Sequence, residues 1–86
     1  MKGIVYLEYR RLGFFAVQTE DDDFTVIEAL GEPPSLGDIL IGELHSLGGE
    51  RLFNETTKEE IDVFIQDIHV DLTEAKRHLA EAARGR

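Results

Sequence analysis

From Ile4 to Val70 the apolar residues recur on a period of two, and after Asp71 the spacing lengthens to that of a helix. A chain with that pattern is committed to a sheet over most of its length and to one helix at its end. Val5, Leu7 and Tyr9 are expected on one face of a first strand, with Ile4, Tyr6 and Glu8 on the other. Gly13 opens a second strand, Phe14 to Thr19, and the polar turn Glu20 to Asp23 separates it from a third, Phe24 to Leu30. Strand, four turn-formers, strand is the spacing of a β-hairpin.

The segment Gly31-Glu32-Pro33-Pro34-Ser35 breaks the pattern, because proline cannot donate to a sheet ladder and biases its neighbour to extended backbone. "LGDILIGEL" resumes it, with Ile39 and Ile41 facing one way and Leu40, Gly42 and Leu44 the other. A glycine inside that run predicts a bulge or a close backbone crossing. Gly48-Gly49 reads as a turn, Arg51 to Thr56 as a fifth strand and "EEIDVFIQDIHV" as a sixth. Asp71 and Glu74 then have the spacing of a helix N-cap and its third residue. Leu72, Ala75, Leu79 and Ala82 follow at helical intervals, and Gly85 is expected to end the helix. The fold class expected is mainly β: an OB-like antiparallel β-barrel of five to six strands with one C-terminal α-helix. The 86 residues make one domain, with the barrel over 1–70 and the helix over 71–84.

Composition narrows the function classes. At 42% hydrophobic the chain is too apolar for disorder, and it has no cysteine, which excludes disulfides and thiolate zinc sites. No apolar stretch near Met1 has the length of a signal peptide or a membrane span, so the expected location is cytoplasmic, with no membrane partner. The sequon Asn54-Glu55-Thr56 then carries no glycosylation. The net charge is −9, distributed as +2 over residues 1–11, −14 over 12–74 and +3 over 75–86. Such a body repels a polyanion at long range, and any nucleic-acid contact must be local.

The opening "KGIVYLEYRRLGFFAV" resembles the start of the cold-shock domains, keeping Lys2, Gly3, Val5, Gly13, Phe14 and Val17 in register with that family's motif. "LGDILIGEL" is similar to the family's E-G-Q-x-V-x-F strand, Asn54-Glu55-Thr56 lies where the family often shows N-V-T, and the resemblance covers roughly residues 2 to 56. It implies an OB-like barrel and, as a function, single-strand binding by bases stacked on exposed aromatics. Here the stacking positions have changed. Leu7 and Glu8 stand where the family has Trp and Phe. Ala16 replaces the second phenylalanine of strand two, and Ile27 with Glu28 or Ala29 replaces the aromatic and histidine of strand three. The resemblance therefore implies the fold more than the activity.

Two functions follow as expectations. The first is a non-catalytic protein-interaction or self-association module, with Leu7 and Ile27 as exposed apolar contacts where relatives display aromatics. The second is weak single-stranded RNA or DNA binding through Lys2, Arg10, Arg11 and Phe14, extended by Lys76, Arg77, Arg84 and Arg86 if the helix packs nearby. Ser35 and Ser46 lack the context of a nucleophile and no phosphate-cradling glycine loop is present, so no enzyme, catalytic residue or cofactor is expected. No metal site is expected either. Glu20 to Asp23 lacks calcium-loop spacing, and Asp67, His69, His45 and His78 would have to converge through the fold.

Overall fold

A computed structural model describes residues 1–84. Its strands are β1 (Lys2–Tyr9), β2 (Phe14–Thr19), β3 (Phe24–Ala29), β4 (Ile39–Ile41), β5 (Gly48–Asn54) and β6 (Glu59–Val70), and the helix is α1 (Leu72–Arg84). The strands close into a barrel in the order β1-β2-β3-β6-β5-β4, and every neighbouring pair is antiparallel. After the hairpins β1-β2 and β2-β3, the proline-containing segment carries the chain back so that β4 pairs with β1, the connection of a Greek key. The expected class is therefore found, with six strands.

The barrel interior is filled by Val5, Phe15, Val17, Ile27, Leu40, Leu52, Val63 and Ile65, with Leu44 entering from the loop after β4. The Thr25 hydroxyl donates to the Leu44 carbonyl across 3.0 Å and pins that plug. Gly42 sits at the expected close crossing: a Cβ there would come within 2.6 Å of the Leu52 side chain, on backbone with φ +154°.

A second core lies outside the barrel. Phe14, Ala16, Phe24 and Val26, on the outer faces of β2 and β3, are buried with Ala75 and Leu79 of α1. Burying each large side chain there contributes about 1.5–3 kcal/mol. β2 and β3 are thus covered on both sides, which is why "FFAV" is uniformly apolar and not alternating. Asp71 caps α1 as expected, its Oδ1 accepting the Glu74 N–H at 2.8 Å. The expected stop at Gly85 lies outside the described residues.

Two expectations need correction. The β1–β2 register slips between Val5 and Leu7, so Val5 points into the barrel while Leu7 and Tyr9 join the outer core, and all three do not share a face. One extra residue in a strand inverts the side-chain faces beyond it. β5 begins at Gly48, so Gly48-Gly49 is strand and not turn, and the reversal into β6 falls at residues 55–58. There the Lys58 N–H bonds the Asn54 carbonyl at 2.8 Å.

Candidate functional site

The structure disperses the residues that the sequence grouped as a binding face. Phe14 is 5% exposed, on the strand face that α1 covers. Ile27 is 0% exposed inside the barrel, and Leu7 is half-buried against the helix-side core. The expectation that Leu7 and Ile27 form an exposed apolar patch is thereby overturned: the bulge in β1 turns Leu7 toward the helix, and the pleat turns Ile27 inward.

The cations fare differently from one another. Arg10 donates to the Pro34 carbonyl at 2.9 Å and to Glu32 at 3.2 Å, and its Nη1 lies 3.7 Å from Glu8 Oε2. It braces the proline loop. Lys2 pairs with Glu55 at 3.8 Å, and Arg77 pairs with Glu74 one helical turn away. Arg11 is exposed. Arg86 lies outside the described residues.

A different surface is open. Pairing places Ile41 beside Phe53 across β4–β5 and Ile4 beside Ile39 across β1–β4, all four on the outer face. Ile4 is 48% exposed, Tyr6 48% and Phe53 37%, while Ile39 and Ile41 are half-buried between them. No element of residues 1–84 is packed over this face in the manner of α1, whose contacts are with β1, β2 and β3. Beside this face Glu20 accepts the Lys2 backbone N–H and Glu55 pairs with the Lys2 side chain, while Arg51, next to Phe53 on β5, is paired with Glu60 and Asp62. Phe64, also exposed, is set apart from Phe53 by the Arg51–Asp62 and Arg51–Glu60 ion pairs.

The third feature is at the barrel mouth beside Leu44. Asp23 ends the acidic turn, His45 follows the Leu44 plug, and His69 sits on β6 where the register against β3 shifts. Two residues of β6, Ile68 and His69, occupy the interval between the pairs Val26–Asp67 and Phe24–Val70. His69 takes left-handed backbone there, φ 56°. His69 Nδ1 lies 2.7 Å from Asp23 Oδ2, His45 Nε2 lies 3.2 Å from Asp23 Oδ1, and the two imidazole centroids are 4.1 Å apart. Burial alone would raise the Asp23 carboxyl. The hydrogen bonds from Thr19, His69 and His45, with the charge of His45, outweigh that and hold it below the usual aspartate value.

Of the four residues weighed for metal binding from sequence, the fold sends Asp67 to His78, 3.6 Å apart, and brings His69 to His45 instead. In the sequence Asp23 reads only as part of an acidic run. The signal available was that each of these histidines directly follows an apolar residue rooted in the barrel, Leu44 or Ile68. Comparison with family models, with curated proteins and with solved structures finds no match for the chain.

Proposed function

We propose that this chain is a non-catalytic protein-binding module, built on a cold-shock-like barrel, that receives a basic, apolar segment of a partner on the outer face of β1, β4 and β5. The observation that carries this reading is the contiguous set Ile4, Ile39, Ile41 and Phe53, laid side by side by strand register on a face no helix covers. A closed barrel has no free edge, so strand addition is not the mode of contact and side-chain docking is. The −9 charge favours a cationic partner over a second copy, which would bring the same charge to the interface. Single-strand nucleic-acid binding has less support, because Phe14 lies in the helix-side core and Arg10 is engaged with Glu8, Glu32 and Pro34.

An alternating Lys/Leu peptide is the probe, titrated into isotope-labelled protein and followed by amide chemical shifts. The expected result is saturable shifts confined to β1, β4 and β5, weakening with salt and lost in the Ile4→Glu/Phe53→Glu double variant. Shifts scattered over the surface, or none, would overturn the proposal. So would sedimentation showing a dimer of the wild type that Phe53→Glu dissociates, which would give the face to a second copy.

A further inference from the structure

We propose that Asp23, His45 and His69 form a binding site for one divalent transition-metal ion, with zinc as its natural occupant, at the barrel mouth closed by Leu44. The three side chains come from three separate parts of the chain, and one ligand atom from each can be chosen so that all lie within 4.8 Å of one another. Zinc bonds to nitrogen and carboxylate oxygen run about 2.0–2.2 Å, so tetrahedral ligand atoms sit roughly 3.3–3.5 Å apart. The closest approaches here, 2.7 Å and 3.2 Å, are hydrogen-bond distances that open slightly on metal binding. The widest separation closes by about 1.5 Å at most, within reach of the exposed His69 side chain.

The site is built from behind. His45 and His69 each follow a residue anchored in the interior, Leu44 and Ile68. The Thr19 hydroxyl donates to Asp23 Oδ1 and holds the carboxylate in place. With His45 Nε2 turned to the ion, its Nδ1 keeps the proton and faces Asp21 Oδ2, 4.0 Å away. At that distance Asp21 is a negative charge beside the ring and not a hydrogen-bond partner. Glu20, Asp21 and Asp22 add negative charge beside the site.

The donor set selects the ion. Two imidazoles and one carboxylate suit zinc and its transition-metal neighbours, whereas calcium and magnesium require a shell of oxygen ligands, to which this trio contributes only the Asp23 carboxylate. Three protein ligands with His69 at the surface leave a coordination position open to water or to a ligand from outside. A bound ion would tie the β2–β3 turn, the loop after β4 and the end of β6 to one another.

The test is calorimetric titration of ZnCl2 into the full chain after chelator treatment, with cobalt(II) absorption as a report on coordination. Expected are one ion per chain, the visible bands of tetrahedral or five-coordinate cobalt, and a rise in melting temperature that saturates with zinc. His45→Ala and His69→Asn each remove a ligand and lower affinity by more than the roughly 100-fold that loss of an outer-shell partner can cost. Asparagine is chosen at position 69 because it tolerates left-handed backbone. His78→Ala, which alters a histidine paired elsewhere, leaves binding unchanged. Absence of zinc binding would overturn the proposal and leave a histidine–carboxylate hydrogen-bond cluster. Binding that survives both ligand variants, or falls equally in His78→Ala, would overturn it too. The peptide titration above reads a different face, so either proposal can fail without the other.

Discussion

The Asn54 side-chain amide donates to Asp38 Oδ2 across 2.9 Å in a buried contact that joins the end of β5 to the loop entering β4. Asn54 Oδ1 accepts the backbone N–H groups of Thr56 and Thr57, at 3.0 and 3.2 Å, while Asp38 Oδ2 also accepts that of Ser35. Each residue therefore organises its own loop and anchors the other's. Replacing Asn54 by Ala leaves the buried Asp38 carboxylate with only the Ser35 N–H and removes the acceptor of two turn amides. The expected loss is about 2–3 kcal/mol, read from urea unfolding midpoints.

Gly3 is held by space alone. A Cβ on it would meet Val17 Cγ1 at 2.4 Å, Leu44 Cδ1 at 3.0 Å and the Gln18 carbonyl at 3.0 Å. Gly3→Ala is expected to destabilise by about 1–3 kcal/mol, since neither the plug nor the neighbouring strand can give way freely. Gly31→Ala, with nothing within 4 Å of the added atom, is the matched control and should stay within about 0.5 kcal/mol of wild type.

The outer core depends on α1. Leu79→Ala removes the larger of its two buried side chains and is expected to cost about 2–4 kcal/mol. Glu81→Ala, on the exposed face of the same helix, is expected to change stability by less than about 0.5 kcal/mol. A loss in Leu79→Ala no larger than in Glu81→Ala would show that packing on Phe14 and Phe24 does not hold α1 in place.

Glu8 Oε2 is buried without a hydrogen-bond partner, and the Arg10 guanidinium 3.7 Å away is its counter-charge. Arg10→Ala is expected to cost about 1 kcal/mol, kept small by the solvent exposure of the arginine. Adding Glu8→Gln should recover part of that loss in a double-mutant cycle, because a neutral amide suffers less from an absent cation.

Labelled oligo-dT at low salt is expected to give no saturable anisotropy change, and Arg11→Glu to make no difference. Low salt is the condition under which a basic patch acts most strongly. Saturable binding abolished by Arg11→Glu would restore the nucleic-acid reading.

Much of this protein was legible along the chain because its determinants are local. Alternation marked the strands, the prolines marked the loop before β4, and Asp71 with Glu74 marked the start of α1. Turn chemistry and side-chain period act over a few residues, so they can be read without knowing what lies across the barrel. The faces were a different matter. A single extra residue near Tyr6 sent Leu7 toward the helix, and the bulge before Val70 swung His69 toward Asp23. Which side of β2 and β3 the helix would cover, and hence that Phe14 would be core and not surface, also depended on closure. The sequence by itself determined the elements, their order and the net charge. Tertiary structure decided which side chains meet, because a bulge inverts every face beyond it and contacts between distant residues exist only once the strands have closed.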